Sequence, residues 1–370
     1  MRKLLFIFGT RPEAIKMAPL ILKAMDDASF NVRVCVTGQH NEMLQQVLDF
    51  FRITPDYNLE IMQPDQSLYD VTADIIKAIE QVFVSGAPEL VLVQGDTTTA
   101  FIGALASFYQ KVPVAHIEAG LRSHNKYSPF PEEINRVLVG QITDYHFAPT
   151  VRAKENLMRE GINEDRVYVV GNTVIDALCL TLEMIKNQEY RFLEYFDWLN
   201  IEKPIILVTC HRRESFGEPF KNICLALRDV AEENNVEIIY PVHLNPNVRK
   251  PVFEILDGRK NIHLINPLDY PHLVWLMKIS YLVLTDSGGI QEEAPSLGKP
   301  VLVMREVTER VEGIEAGTCK LVGTKRGKII EETARLLTDS SEYERMAKSV
   351  NPYGDGKSSD RILNTLKNLK

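Results

Sequence analysis

The sequence has few cysteines, and no two of them stand at the CxxC spacing of zinc sites and redox motifs. The five are Cys35, Cys179, Cys210, Cys224 and Cys319, scattered over 370 residues. Their odd number and spacing argue against a disulfide framework and against a zinc site. The pattern fits a reducing compartment, so we expect a cytoplasmic protein.

A long apolar run and an excess of basic residues are also missing. No stretch approaches the ~20 apolar residues of a membrane span, so we expect no membrane partner. The 42 Lys and Arg residues are outnumbered by 50 Asp and Glu, giving a net charge of −8. This acidic balance argues against nucleic-acid binding. It leaves room for an anionic ligand, because a site can be basic inside an acidic protein.

Two nucleotide signatures are absent as well. The chain contains neither a GxGxxG motif nor a Walker A loop. Their absence weakens a nicotinamide-dehydrogenase reading and a P-loop reading.

What the sequence does contain is a regular alternation of short apolar runs and amphipathic stretches. Most runs lack period-two alternation, as strands buried on both faces do. They predict strands at Leu4–Phe8, Val32–Thr37, Leu90–Gln94, Val112–Ile117, Tyr145–Ala148, Val167–Val170, Ile205–Thr209, Glu237–Pro241, Ile262–Ile265, Tyr281–Thr285, Pro300–Val303 and Cys319–Val322. Helices are predicted between them, for example at Ala14–Ala24, Glu42–Phe50, Tyr69–Phe83, Thr98–Tyr109 and Gly217–Glu233. The alternation indicates an α/β protein with parallel sheets covered by helices.

The length of 370 residues exceeds what one core normally supports, so we expect two domains. The break is predicted within 171–204, which gives a Rossmann-like domain at 1–172 and a second at 173–352. A helix in 353–370 should pack back toward the first domain. Ligands of doubly wound domains lie beyond the carboxyl ends of the strands, so two in tandem should face a cleft.

The first predicted strand runs into a tight turn that carries two cations. Arg11 and Lys16 lie near the start of the following helix. A helix N-terminus with two nearby cations suits a phosphate. An ordinary turn with two solvated charges is the alternative, and the local sequence favours it.

Acidic residues follow later strands of the same half. Asp96 lies two positions after the strand predicted at Leu90–Gln94, Glu118 directly follows the next predicted strand, and Glu132 lies further along the chain. Crowded carboxylates disfavour joint ionisation, so one or more could serve as an acid or a base. One alternative is that Asp96 is a helix N-cap. Another is that Glu118 or Glu132 pairs with Arg122 or Arg136, and a pair of Glu133 with Arg136 is favoured in particular.

In the second half His211 stands at a strand end beside Arg212 and Arg213. This context favours a role facing an anion, although a lone histidine is more often structural. His243 and His40 have weaker contexts.

The most informative stretch follows the strand predicted at Tyr281–Thr285. Ser287, Gly288 and Gly289 open a helix, where a diphosphate can approach backbone N–H groups. Glu293 on the same helix could accept hydrogen bonds from ribose hydroxyls, and Arg310 is a candidate clamp for a diphosphate. A glycine turn before a capped helix is the alternative.

Taken together, these residues resemble the non-hydrolysing UDP-N-acetylglucosamine 2-epimerase family, which has the GT-B architecture. The matching segments are Gly9–Pro19, Thr37–Met43, Gln94–Thr99, His116–Ser123, Pro131–Arg136, His211–Gly217, Asp286–Pro300, Thr308–Gly313 and Asn351–Gly356. The resemblance implies reversible C2 epimerisation of UDP-GlcNAc to UDP-ManNAc. The family eliminates UDP across C1–C2 to give a 2-acetamidoglucal and then adds UDP back.

The resemblance also implies the partners. The substrate is a UDP-amino sugar, no redox cofactor and no metal is needed, and the absence of a DxD motif agrees with this. A homodimer is expected, because the family is usually dimeric. The product would serve the synthesis of a cell-surface polysaccharide.

Carried over position by position, the resemblance gives each residue a role. Asp96, Glu118 and Glu132 match the catalytic carboxylates, and His211 matches the histidine on the leaving-group side. The positions matching substrate contacts are Arg11, Lys16, Ser287, Gly288, Gly289, Glu293 and Arg310. The positions compatible with the allosteric site of many bacterial members are Gln39, His40, Arg212 and His243.

The sequence departs from the family pattern near the allosteric positions, where Glu42 and Asp65 replace the expected Gln and Arg. Anionic charge near a diphosphate there argues against the usual allosteric activation. Val311 also replaces a proline after Arg310, and Leu273 replaces an aromatic residue near the uracil.

Four alternatives share most of these residues. One is the same reaction on a modified sugar, such as a 2,3-diacetamido uronic acid nucleotide. The others are a hydrolysing epimerase that releases ManNAc and UDP, a GT-B glycosyltransferase, and a non-catalytic UDP-sugar sensor.

Overall fold

The computed structural model describes residues 1–38, 41–63 and 66–369. Contacts between Cα atoms divide the chain into two compact units. The first unit is Met1–Leu180 together with Tyr353–Lys370, and the second unit is Thr181–Pro352. Each unit is built around a parallel sheet of its own.

The strands of the first unit are β1 (Arg2–Phe8), β2 (Phe30–Val36), β3 (Tyr57–Asn58), β4 (Leu90–Gln94), β5 (Val114–Ile117), β6 (Tyr145–Ala148) and β7 (Val167–Val169). Those of the second unit are β8 (Ile205–Thr209), β9 (Glu237–Pro241), β10 (Ile262–Ile265), β11 (Leu282–Thr285), β12 (Val301–Val303) and β13 (Cys319–Leu321). The described strands are ordered β3-β2-β1-β4-β5-β6-β7 in one sheet and β10-β9-β8-β11-β12-β13 in the other.

The helices follow the chain as α1 (Arg11–Met25), α2 (Asn41–Phe51), α3 (Leu68–Gly86), α4 (Thr98–Tyr109), α5 (Glu132–Ile142), α6 (Val151–Arg159), α7 (Thr173–Ile185), α8 (Glu189–Tyr195), α9 (Glu218–Glu233), α10 (Pro246–Leu256), α11 (Tyr270–Ile279), α12 (Gly288–Glu293), α13 (Val311–Glu315), α14 (Arg326–Thr338), α15 (Ser340–Ala347) and α16 (Ser358–Asn368). No helix in the described part of the chain is both long and apolar enough to span a membrane.

The expected α/β class with two Rossmann-like parallel sheets is confirmed. Strands such as β4 are buried along their whole length, which explains why they read as continuous apolar runs. The predicted strands all form, with ends shifted by at most two residues. Helix α1 begins earlier than predicted, at Arg11, because Thr10 and Glu13 form a capping box and Pro12 fits the first turn.

Helix α16 belongs to the first unit and contacts α1. Asp176 of α7 accepts the backbone N–H groups of Ser358 and Ser359 at 3.1 and 2.7 Å, which caps the start of α16. Ile362 and Leu366 are fully buried on its inner face.

Candidate active site

The order of both sheets reverses beside their first strands, between β1 and β4 and between β8 and β11. In doubly wound sheets such a reversal separates the loops that follow the two strands and leaves a crevice at their carboxyl ends. Asp96 follows β4 and Glu118 follows β5, whereas His211 follows β8 and Ser287 follows β11. The topology therefore places candidate residues of each half at the carboxyl edge of its own sheet.

Glu118 is buried and its carboxylate is held by three side chains. Lys16 lies 2.5 Å from Oε2, Gln94 also donates to Oε2, and Asn172 donates to Oε1 at 3.2 Å. Its backbone has a φ of 64°, a left-handed conformation that a residue with a side chain adopts at a cost. The fold thus fixes one carboxylate beside the ammonium of Lys16, which is not a solvated surface charge.

Asp96 and helix α5 are tied together by Arg136. The guanidinium lies 2.6 Å from Asp96 Oδ2 and 3.0 Å from Glu133 Oε2, and Asn135 donates to the backbone carbonyl of Asp96 at 2.9 Å. The predicted alternative of a Glu133–Arg136 pair is therefore confirmed. Asp96 is not the N-cap of α4, because Thr97 accepts the N–H of Ala100.

Glu133 is a structural carboxylate. Burial raises its pKa, but the N–H groups of Ser123 and His124 and the guanidinium of Arg136 outweigh burial, so the pKa lies below its ordinary value. These bonds fix the loop that leads into α5.

Glu132 occupies the first position of α5, next to Glu133. Its Oε2 atom is buried and has no hydrogen-bond partner among the described residues. Arg122, which we considered as a partner for Glu118 or Glu132, binds Glu160 through Nε and Nη2, both at 2.7 Å. One buried oxygen of the Glu132 carboxyl group therefore has no hydrogen-bond partner among the described residues.

In the second unit, Asp286 organises the loop that carries His211. Its Oδ2 accepts the backbone N–H groups of His211 and Arg212, both at 2.8 Å. The rings of His211 and His243 stack with centroids 5.2 Å apart and planes 10° apart. Burial lowers the pKa of His243, and the neighbouring His211 lowers it further.

Arg310 is buried against the paired glycines. Its Nε donates to Glu292 at 2.9 Å and its Nη1 to Glu309 at 3.1 Å. A Cβ atom on Gly288 would lie 3.2 Å from Cζ of Arg310. A side chain at this position would crowd the guanidinium of Arg310, so the close approach of Arg310 favours glycine here. A glycine that served only to form a turn would have no such neighbour.

The carboxylate of Glu309 forms ion pairs with three arginines. Burial raises its pKa, but Arg310, Arg212 and Arg305 together bring the pKa well below its usual range. Its contacts with Arg212 and Arg305 are 3.3 and 2.8 Å long. Shared carboxylates thus hold three guanidinium groups together at the carboxyl edge of the second sheet, and guanidinium groups are suited to bind a diphosphate.

Comparison with known proteins decides the family. The model of the UDP-N-acetylglucosamine 2-epimerase family matches residues 23–367. The chain is 54% identical to the UDP-N-acetylglucosamine 2-epimerase of Salmonella typhimurium, over all of this chain and 99% of that protein. It is 52% identical to the same enzyme of Escherichia coli K12, over 99% of this chain and 98% of that protein. The chain belongs to the UDP-N-acetylglucosamine 2-epimerase family.

Solved structures agree with this membership. The UDP-GlcNAc 2-epimerase of Neisseria meningitidis bound to UDP-GlcNAc is 50% identical, with a TM-score of 0.95 over 99% of this chain and all of that one. The Methanocaldococcus jannaschii enzyme in complex with UDP-GlcNAc and UDP is 36% identical, with a TM-score of 0.85 over 99% of both chains. A sucrose-phosphate synthase from Thermosynechococcus elongatus, 12% identical with a TM-score of 0.67 over 99% of this chain and 98% of that one, shares the fold alone.

Two further residues of this epimerase-family chain shape the candidate site and were not predicted. Glu13 is buried and accepts the N–H groups of Gly9 and Thr10 and the hydroxyl of Thr97 at 2.6 Å, so it joins the loops after β1 and β4. Burial raises its pKa more than these bonds lower it. The capping-box spacing from Thr10 was a signal that could have found it.

Tyr270 is the second. Its hydroxyl donates to Glu293 Oε2 at 2.7 Å and fixes the carboxylate that we assign to the ribose. Nothing in the local sequence points to it, since it lies 23 residues from Glu293.

The allosteric candidates are described only in the second unit. Arg212 Nε donates to the backbone carbonyl of Asp286 at 3.1 Å, and His243 packs on His211. Gln39, His40 and Asp65 lie outside the described residues. An allosteric role therefore stays a prediction. Within the described residues, no group of three or more His, Cys, Asp or Glu side chains could hold a metal ion.

Proposed function

We propose that the chain catalyses the reversible conversion of UDP-GlcNAc to UDP-ManNAc without releasing a free sugar. A base removes the C2 proton and the C1–O bond to UDP breaks on the opposite face, which gives UDP and a 2-acetamidoglucal. UDP then adds back at C1, and C2 takes a proton on the other face. Atoms balance, because the same UDP leaves and returns.

Three carboxylates are proposed to move these protons. Asp96 follows β4 and Glu118 follows β5, and the next helix, α5, carries Glu132 together with the Arg136 that binds Asp96. The buried, unpartnered Oε2 of Glu132 suits a group that exchanges a proton with substrate. Which carboxylate removes the proton and which returns it is left open.

The second unit is proposed to hold the nucleotide. Ser287, Gly288 and Gly289 offer backbone N–H groups to the diphosphate, Glu293 binds ribose hydroxyls, and Arg310 clamps the diphosphate. His211 stabilises the charge on UDP as it departs. Arg11 and Lys16 add substrate contacts from the first unit.

The observation that carries the proposal is the family match over residues 23–367, which contains the three carboxylates, His211 and the proposed nucleotide contacts of the second unit. Relatives solved with UDP-GlcNAc support the choice of substrate. A sensor that only binds UDP-sugars would have no use for three carboxylates that follow neighbouring strands of the first unit.

Solvent exchange tests the proposal directly. Purified protein incubated with UDP-GlcNAc in deuterium oxide should form UDP-ManNAc with deuterium at C2 in both sugars, measured by NMR and mass spectrometry. Absence of C2 exchange under all conditions would contradict it.

The same assay separates the alternatives. Free ManNAc formed as fast as substrate disappears would indicate a hydrolysing epimerase. Exchange only with a 2,3-diacetamido uronic acid nucleotide would change the substrate, and transfer to an acceptor with retained C2 configuration would indicate a glycosyltransferase.

A further inference from the structure

Asp286 is a fully buried carboxylate to which the proposed reaction assigns no role. It follows β11 directly, and its Oδ2 accepts the N–H groups of His211 and Arg212 as well as the thiol of Cys210 at 3.1 Å. All three donors bind Oδ2, so they provide no partner for the other carboxylate oxygen.

The other carboxylate oxygen of Asp286, Oδ1, lies near the side chain of His211. Oδ1 is buried and has no hydrogen-bond partner among the described residues. His211 Nδ1 lies 3.7 Å away, just beyond hydrogen-bond reach, and the His211 side chain is 44% exposed. A small rotation of the ring closes this contact, as catalytic hydrogen bonds commonly tighten once substrate is bound.

Of the two stacked rings, His211 rather than His243 is the one suited to carry a positive charge. His243, from the loop after β9, stacks on it, and His243 Nδ1 accepts the N–H of Asn245 at 3.1 Å. A ring nitrogen that accepts a hydrogen bond is unprotonated, so His243 is neutral. Arg212, in the same loop as His211, is directed to Asp286 O and Glu309.

We propose that Asp286 is a positioning residue that holds His211 with Nδ1 protonated, so that Nε2 is directed to the departing diphosphate. The inference rests on the proposed function. In this arrangement Nδ1–H donates to Asp286, and Nε2–H donates a hydrogen bond to the phosphate oxygen as the C1–O bond breaks. No proton leaves the ring in this step.

The wild-type enzyme tests the geometry first. Protein labelled with ¹⁵N-histidine should show, for His211 with UDP bound, a protonated Nδ1; a His211→Asn variant assigns the signal. A His211 protonated at Nε2 alone would overturn the proposal, whether or not any variant folds.

The variant Asp286→Asn tests the consequence. One amide oxygen can still accept the N–H groups of His211 and Arg212, but the amide nitrogen then meets His211 Nδ1 and forces the other tautomer. We expect kcat to fall roughly 10²-fold while KM for UDP-GlcNAc changes little, because His211 acts on charge that develops in the transition state. The alkaline limb of the pH profile of kcat should move to lower pH.

Asp176→Asn is the matched control. Asp176 is also buried and accepts two backbone N–H groups, but those belong to α16. The Asp176→Asn enzyme should keep the wild-type tautomer of His211 and the wild-type pH profile of kcat. An Asp286→Asn enzyme with wild-type kcat and an unchanged His211 spectrum would overturn the proposal. Lack of C2 exchange in a wild-type enzyme that shows the Nδ1-protonated ring would overturn the proposed function instead.

Discussion

At Gly288 the structure brings the guanidinium of Arg310 close to where a side chain would begin. A Cβ atom there would lie 3.2, 3.3 and 3.4 Å from Cζ, Nε and Nη2 of Arg310. The backbone itself accepts alanine, since its φ is not in the left-handed region. We expect Gly288→Ala to displace the guanidinium and weaken UDP binding roughly tenfold, measured by calorimetry.

Gly289→Ala is the comparison for this prediction. Its Cβ would meet Glu293 Oε1 at 3.6 Å, an ordinary contact, so its effect on UDP affinity should be clearly smaller. Equal affinities for the Gly288 variant and the wild type, with Arg310→Ala weakened, would show that the glycine does not set the position of Arg310.

The sequence could indicate individual candidate residues, but it could not indicate most of their partners. Asp96, Glu118 and His211 are candidates because each follows an apolar run that predicts a strand. The partner of Asp96 is Arg136, 40 positions away, and that of Lys16 is Glu118, more than 100 away. Only the folded sheet brings such pairs together, so burial and charge balance had to come from the structure.

At the scale of elements, neighbouring strands carry a buried histidine pair. His116 of β5 and His146 of β6 are register partners. Burial lowers the pKa of His116 to about 4 and that of His146 to about 3, and for His146 the neighbouring ring of His116 lowers it further. Both rings are therefore neutral at pH 7.

This pair predicts acid sensitivity of the first unit. Below pH 6.5 the two histidines bind protons in the unfolded chain but not in the folded chain. The free energy of unfolding therefore falls as the pH falls. Each histidine should cost about 2 kcal/mol between pH 7.5 and pH 5. The window lies above the titration range of ordinary carboxyl groups.

The variant His146→Leu measures the contribution of one ring. Neither ring nitrogen of His146 has a hydrogen-bond partner among the described residues, so leucine should leave no polar partner unpaired. We expect urea unfolding to show a pH dependence smaller by about 2 kcal/mol than that of the wild type. His124→Asn, at an exposed position, should keep the wild-type dependence; an unchanged dependence in His146→Leu would contradict the prediction.

Long elements were predicted well, and the shortest one was missed. Buried strands such as β4 are apolar throughout, so the run of apolar residues marks them. Strand β3 has two residues and pairs only with β2 at the edge of the sheet. Two residues carry no periodicity, and this strand exists only because β2 offers a free edge.

At the scale of the whole molecule, two separate segments of the chain form the first unit. They are Met1–Leu180 and Tyr353–Lys370, and the second segment contains α16. The sequence indicated a helix there, but its attachment depends on Asp176, which is 182 and 183 positions from the two residues it caps. The long-range capping bond could not be read from local pattern.

The two units also divide the candidate chemistry, and this division can be measured. Asp96, Glu118 and Glu132 lie in the first unit, whereas Ser287, Glu293 and Arg310 lie in the second. Asp96→Asn, Glu118→Gln and Glu132→Gln should each lower kcat by roughly 10²-fold or more, because each removes a group that we assign to proton transfer. UDP affinity should change little, because the groups that we assign to diphosphate and ribose remain.

Arg310→Ala should show the opposite pattern. It leaves the carboxylates in place, removes a charge-assisted contact, and leaves Glu292 and Glu309 without that partner. UDP affinity should fall roughly tenfold to hundredfold, read by calorimetry, while C2 deuterium exchange at saturating UDP-GlcNAc persists. If all three carboxylate variants kept full C2 exchange, the acid–base assignment would be wrong. If Arg310→Ala bound UDP like the wild type, the assignment of Arg310 as the diphosphate clamp would be wrong. Because the two outcomes are independent, the division between proton transfer and nucleotide binding can fail on one side and stand on the other.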